Sequence, residues 1–220
     1  VILMLFKYLS KKKEEKPETG GIKNIIFDVG QVLVDYDWET YLDSFGFEPA
    51  KRERIAKATF QSPVWDERDR GLYEEDVYLK QFQELDPEDA EDIEKVIRGT
   101  GGTIHKRPYA DTWVKYLKSK GYHVYILSNY SSYMLDHTKK ELTFRREMDG
   151  EVFSCYAKQL KPDAEIYQII LNKYQLKPEE CVFIDDRSEN CRGAQEQGIH
   201  TICFKDFKQV TADLEKLGVK

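Results

Sequence analysis

A chain of 220 residues, 40% hydrophobic and 34% charged, can bury one substantial core plus a small insertion, and it is too apolar for a disordered segment. A net charge of −6 and a pI near 5.4 argue against nucleic acid or an anionic membrane as the main partner. The four cysteines (Cys155, Cys181, Cys191, Cys203) form no CxxC pair and have no histidine at metal-ligand spacing, which predicts free, largely buried thiols and a cytoplasmic setting.

Val1 to Phe6 is apolar but too short to cross a bilayer, and it lacks the basic leader and cleavage site of a signal peptide. With the lysine-rich stretch Lys11 to Lys16 behind it and Gly20-Gly21 at its end, residues 1–21 read as a loosely attached tail without stable membrane insertion. The apolar run Ile25-Ile26-Phe27 predicts a buried strand that stops on Asp28. Aspartate is a poor strand residue, and a buried carboxylate needs a partner, a metal or a chemical role. Gly30 follows, where the backbone can turn sharply or approach a ligand closely.

Asp37 reads as the N-cap of a helix starting at Trp38. Up to about Ile97 the chain is polar, with apolar residues at helical spacing (Ile55, Ala58, Thr59, then Tyr78, Leu79, Phe82). Asp86-Pro87 marks a further helix start, and no strand is evident, so this region predicts an all-helical insertion. Gly99-Thr100-Gly101-Gly102-Thr103 closes it as a hinge, since a phosphate-binding loop would need a preceding strand and a following Lys-Ser or Lys-Thr.

Regular alternation then begins. A helix from Pro108 carries Trp113, Tyr116 and Leu117 and stops at Gly121, and the strand Val124 to Leu127 ends on Ser128-Asn129. A helical stretch from Tyr133 to Lys140, a short strand near Val152 to Tyr156 and a helix opened by Pro162 follow. The strand Cys181 to Ile184 ends on Asp185-Asp186, a helix runs from Glu189 to Gln197, and Thr201 to Phe204 is the last strand. Near-continuous apolar strands alternating with helices predict an α/β fold whose parallel sheet carries helices on both faces. The predicted division is a core of residues 22–36 and 104–220 with a helical cap, 37–103.

In a parallel sheet the carboxyl ends of the strands open on one edge, where ligands bind. That edge collects Asp28, Ser128, Asn129, Asp185 and Asp186, and Lys161 lies just before a helix in the same region. Crowded acids repel one another, and a divalent cation relieves them. Hard oxygen donors with open positions suit Mg²⁺, which takes substrate phosphate as a further ligand, while a lysine and a serine neutralise and hydrogen-bond phosphate oxygens.

The four segments Phe27-Asp28-Val29-Gly30-Gln31-Val32, Leu127-Ser128-Asn129, Lys161-Pro162, and Ile184-Asp185-Asp186 with Asn190, in this order, resemble the haloacid dehalogenase (HAD) superfamily of hydrolases, most of whose members are Mg²⁺-dependent phosphatases. Within it the chain is similar to the subgroup that includes bacterial α-D-glucose-1-phosphate phosphatase, on its Asp-x-Gly-x-Val opening and the Lys161 to Tyr167 run. The resemblance implies a Rossmann-like core with a helical cap, and Asp28 as a nucleophile that forms an aspartyl-phosphate. It implies Ser128 and Asn129 holding phosphoryl oxygens, and Lys161 offsetting charge on the nucleophile and the phosphate. Mg²⁺ would be held by Asp28, the carbonyl of Gly30 and Asp186, with Asp185 acting directly or through water.

The chain departs from the family at Gly30, where most family phosphatases carry a second aspartate as general acid and base, a contribution of about 10² to 10⁴-fold. Asp35 and Asp37 are candidate substitutes. Trp65, Asp66, Arg70 and Gly71 in the insertion are candidates for selecting the substrate, expected to be a small phosphomonoester of the sugar-phosphate kind. The four histidines (His105, His123, His137, His200) are expected to be structural or exposed. Two other readings are carried: a 2-haloacid dehalogenase, a class that usually has Ser-Ser in place of Asp185-Asp186, and a binding protein on a catalytically weak scaffold, prompted by Gly30.

Overall fold

The computed structural model describes residues 21–220, so the expected tail, apart from Gly21, lies outside the described residues. In chain order the elements are β1 (Asn24–Phe27), β2 (Val34–Tyr36), α1 (Trp38–Asp43), α2 (Pro49–Ala58), α3 (Pro63–Arg70), α4 (Glu75–Leu85), α5 (Ala90–Arg98) and β3 (Ile104–Lys106). There follow α6 (Ala110–Ser119), β4 (His123–Ser128), α7 (Ser132–His137), β5 (Gly150–Phe153), α8 (Ser154–Ala157) and α9 (Ala164–Tyr174). The last elements are β6 (Cys181–Asp185), α10 (Ser188–Glu196), β7 (His200–Cys203) and α11 (Phe207–Lys216).

Five parallel strands form the sheet in the order β5-β4-β1-β6-β7, with Phe27 of β1 opposite Ile126 of β4 and Ile184 of β6. Every residue of β1 is buried because alternate side chains feed two different layers. Ile25 and Phe27 join Trp113, Val114 and Val210 from α6 and α11, whereas Ile26 joins Ile166, Ile170 and Ala194 from α9 and α10. The Phe27 and Trp113 rings meet edge to face, with centroids 4.9 Å apart at 74°. The expected doubly covered parallel sheet is therefore present.

Helices α1 to α5 enclose a third cluster, centred on Leu42, Ile55, Phe82, Ile93 and Val96, with Phe60 and Trp65 packed against it. The chain enters and leaves these helices through β2 and β3, an antiparallel ribbon pairing Val34 with Lys106 and Tyr36 with Ile104. The sequence reading missed this ribbon because three-residue strands are too short to show a two-residue period. Asp37 caps α1 as expected, accepting from the Thr40 N–H at 3.0 Å. Asp86 makes no side-chain cap, and Pro87–Asp89 forms a single 3₁₀ turn before α5. The reason is electrostatic: Asp86 and Asp89 are drawn to Arg54 of α2, at 3.5 and 2.6 Å. The glycine-rich close of the insertion is a buried 3₁₀ turn, Thr100–Thr103, pinned by the Thr100 hydroxyl donating to the Ile97 carbonyl at 2.8 Å.

Two of the other boundary differences have a visible cause. The strand expected near Val152 to Tyr156 ends at Phe153, because the Ser154 hydroxyl accepts from the Tyr130 N–H at 2.9 Å and leaves the ladder. Helix α9 begins at Ala164 and not at Pro162, because the main chain of Lys161 is held by the side chain of Asn129. The Cys155, Cys181 and Cys191 thiols are free and buried and Cys203 is half-buried, and all four histidines are exposed. No helix of the described residues is long and apolar enough to cross a membrane.

The end of α3 is fastened to α8 of the core. Gly71 ends α3 at φ +72°, and a Cβ there would lie 2.9 Å from the Cys155 Cα and carbonyl oxygen. The Ser154 hydroxyl donates to the Asp69 carbonyl at 2.6 Å, and the Lys158 ammonium donates to the Gly71 carbonyl. Gly71→Ala combines a left-handed backbone with a clash against main chain, so it is expected to destabilise the protein by about 1–3 kcal/mol, read as a lower urea midpoint at unchanged slope.

Candidate active site

The carboxyl ends of β1, β4 and β6 deliver Asp28, Ser128 and Asp185 side by side, and Lys161 enters from the segment before α9. The Lys161 side chain is 1% exposed and forms the hub of the site. Its ammonium lies 2.8 Å from Asp28 Oδ1 and 2.6 Å from Asp185 Oδ2, and donates to the Leu127 carbonyl at 3.1 Å. The Ser128 hydroxyl donates to the same Asp28 Oδ1 at 2.7 Å. Asp28 Oδ1 is thus held by two donors, while Oδ2 faces Gly30, where an added Cβ would lie 3.9 Å from it and meet nothing else within 4 Å.

Asp185 is fully buried and well supplied with donors besides Lys161. The Arg187 N–H donates to its Oδ1 at 2.8 Å, and Asn190 Nδ2 lies 3.1 Å from each carboxylate oxygen. Asp186, one residue on, is half-buried and lines a cavity of about 530 Å³ together with Asp28, Gly30, Asn129 and Lys161.

Burial raises the Asp28 carboxyl above its ordinary value; Lys161 opposes this and Asp185 adds to it. Burial likewise pushes Asp186 up to about 6, with Asp28 and Asp185 contributing further. For Lys161 burial disfavours the charge, but the Asp185 and Asp28 carboxylates outweigh it and keep the ammonium above its usual value. Three acids around one buried ammonium leave an excess of negative charge. One carboxylate oxygen from each of Asp28, Asp185 and Asp186 lies within 4.8 Å of the others, an all-oxygen set that fits a hard divalent cation.

The expected site residues fall into two groups. Asp28, Gly30, Asn129, Lys161 and Asp186 reach the cavity, and Ser128 and Asp185 lie behind them. The Asn129 amide is engaged with the Lys161 main chain, accepting at 2.9 Å and donating at 3.1 Å, so it positions the lysine. The left-handed residue of the loop after β1 is Gln31, at φ 56°, and not Gly30. Its side chain sustains that conformation by donating to the Tyr36 carbonyl at 2.9 Å and accepting from Arg107 at 3.2 Å.

From the insertion, Trp65 and Asp66 line the cavity, and the Trp65 ring stacks at a tilt against Phe60 with centroids 5.0 Å apart. Arg70 does not line it: its guanidinium turns to Glu67 at 3.3 Å, and Gly71 belongs to the contact with α8. Arg68 of the same helix, 1% exposed, grips Glu75 through Nε and Nη2 at 3.0 and 2.6 Å and lies 5.1 Å from the Trp65 ring.

Asp35 pairs with Arg107 at 2.9 Å and Asp37 caps α1, so neither candidate substitute for an acid at position 30 lines the cavity. Tyr36, Asp69 and Arg187 do line it and escaped the sequence reading. Burial pushes the Asp69 carboxyl up to about 7, with Arg68 opposing and Asp66 and Asp28 adding. In the sequence Asp69 is one charge among many on a polar helix, and no residue spacing marks it.

The haloacid dehalogenase-like hydrolase family model matches residues 22–198. The chain is 27% identical over 191 residues to the D-ribitol-5-phosphate phosphatase of Bacteroides thetaiotaomicron, covering 82% of this chain and 90% of that one. It is 25% identical over 195 residues to flavin mononucleotide hydrolase 1 of Arabidopsis thaliana, covering 89% and 77% respectively. Among solved structures, a HAD-family enzyme of Bacteroides thetaiotaomicron in complex with magnesium and inorganic phosphate superposes with a TM-score of 0.69 at 23% identity, over 86% of this chain and 99% of that one, a likeness of fold. On the family match from β1 through β6, which takes in the carboxyl-edge acids, this chain belongs to the haloacid dehalogenase-like hydrolases.

Proposed function

We propose that the protein is a Mg²⁺-dependent phosphatase of a small phosphomonoester, acting through an aspartyl-phosphate on Asp28. The observation that carries this reading is the asymmetry of the Asp28 carboxylate. One oxygen is held by Lys161 and Ser128, and the other is unencumbered and faces the space beside Gly30.

A carboxylate oriented in this way forms a bond to phosphorus as the ester P–O bond breaks. Lys161 stays charged throughout and stabilises negative charge that shifts from Asp28 onto the phosphoryl oxygens. Asp28, the carbonyl of Gly30 and Asp186 would hold Mg²⁺, and Asp185, already engaged by Lys161 and Asn190, would act through water. When bound, the ion supplies charge neutralisation on the phosphate oxygens. The insertion, residues 37–103, acts as the cap: Phe60, Trp65 and Asp66 form an aromatic and polar wall suited to a sugar or polyol phosphate. Asp186 in the cavity weighs against dehalogenation, which needs no metal, and a pre-oriented nucleophile weighs against a mere binding scaffold.

A panel of phosphate esters including α-D-glucose 1-phosphate, D-ribitol 5-phosphate and flavin mononucleotide tests the reading. Phosphate release is expected with at least one ester in Mg²⁺ and is expected to vanish on chelation. Turnover that persists without any divalent cation, or none with any ester, sinks it.

A further inference from the structure

Expelling an alcohol from phosphorus leaves an oxygen that needs a proton, and the groups already assigned cannot supply it. Asp28 is the nucleophile, Asp185 is sealed by Lys161 and Asn190, and Asp186 faces the cation site. Of the other titratable groups lining the cavity, Tyr36 and Tyr130 are driven by burial well above their ordinary value, Arg187 does not titrate, and Asp66 is exposed. Asp69 remains.

Its placement is deliberate in physical terms. Asp69 lies in the last turn of α3, where the Ser154 hydroxyl holds its carbonyl at 2.6 Å and Gly71 packs on Cys155. That fastening fixes a residue of the insertion over the carboxyl edge of the sheet, within the cavity that also holds Asp28, Gly30 and Asp186. The charged and titratable groups around it are Asp66 and Arg68 on its own helix, with Asp28, Tyr36, Tyr130 and Cys155 from the core side. Their balance with burial sets its carboxyl at about 7, so a proton is available near neutrality and can be returned.

We propose that Asp69 is the general acid and base of the reaction, a catalytic residue contributed by the cap. As an oxygen of Asp28 bonds to phosphorus and the P–O bond of the ester breaks, the Asp69 proton passes to the departing oxygen and a neutral alcohol leaves. Water then bonds to phosphorus, gives its proton to Asp69, and the Asp28–phosphorus bond breaks to regenerate the carboxylate. The assignment rests on the phosphatase reading above.

The test is first-turnover release of the alcohol by wild type, Asp69→Asn and Gly30→Asp/Asp69→Asn, with an alkyl phosphate (glycerol phosphate) and with p-nitrophenyl phosphate, whose leaving group departs unassisted. Asp69→Asn is expected to slow glycerol release by about 10²-fold or more while slowing p-nitrophenol release by less than about tenfold, which also shows that the variant folds. The double variant is expected to recover much of the loss, because position 30 has open space toward Asp28. Equal losses on both esters, no loss on either, or no recovery in the double variant overturns the assignment. If wild type turns over neither of these esters nor any of the panel above, the phosphatase reading fails and this assignment with it.

Discussion

Lys161→Met is expected to lower the unfolding free energy by about 3–5 kcal/mol, read from urea denaturation at neutral pH. The methionine fills similar volume, so the loss does not come from a cavity. It comes from two carboxylates left in the interior without their counter-charge, Asp185 at 0% side-chain exposure and Asp28 at 11%. Ser128 and Asn190 still donate to them, but neutral donors replace only part of a charge-assisted contact. The Asp28 carboxyl, already raised by burial and now without the opposing ammonium, then titrates higher in the folded protein than in the unfolded chain. Folding therefore takes up a proton there, and the deficit is largest at neutral pH and narrows as the pH falls through that raised value. Lys161→Met/Asp185→Asn should recover part of the loss, since one of the two stranded charges is gone, and additive losses would count against this account.

Asp28→Asn separates stability from chemistry at the same hub. Activity is expected to fall by at least about 10⁴-fold, because an amide cannot form the acyl-phosphate. Stability is expected to stay within about 1 kcal/mol of wild type, because the amide oxygen still accepts from Lys161 and Ser128 while the cost of burying that charge disappears. Asp28 is already raised by burial and by Asp185, so the native site holds this carboxylate against a penalty. A large stability loss together with the loss of activity would mean that Asp28 serves mainly as a structural partner of Lys161.

The core of the fold was legible because its strands are short apolar runs that end on polar residues, a pattern with few other causes. Asp28, Ser128 and Asp185 could be placed at strand ends from that alone, and the parallel sheet put them together. The insertion was legible as helical from its period, but which of its charges faced the site was not. Arg70 and Asp69 are neighbours on α3, and helix geometry points one to Glu67 and the other into the cavity. That choice depends on how α3 is rotated against α8, a tertiary contact made by Gly71 and Ser154 that no local pattern announces. The same holds for Asn129, whose amide serves a segment 32 residues away, and for Gln31, whose left-handed backbone is sustained by Arg107.

The strand order has a consequence for how the protein is made. β1 is the first strand of the sheet in sequence, yet it sits at the centre, and its neighbours start about a hundred or more residues later, with Ser128 100 and Asp185 157 positions beyond Asp28. Closing such long loops precedes any reward from the contacts they bring, so the central pairing is slow to nucleate compared with the helices of the insertion. Lys161 cannot leave water favourably until both carboxylates are in place to receive it, which ties dehydration of the site to the docking of β6 on β1. A chain synthesised from its N-terminus therefore carries Asp28 early and exposed, and gathers Ser128, Lys161 and Asp185 around it only with the completed sheet.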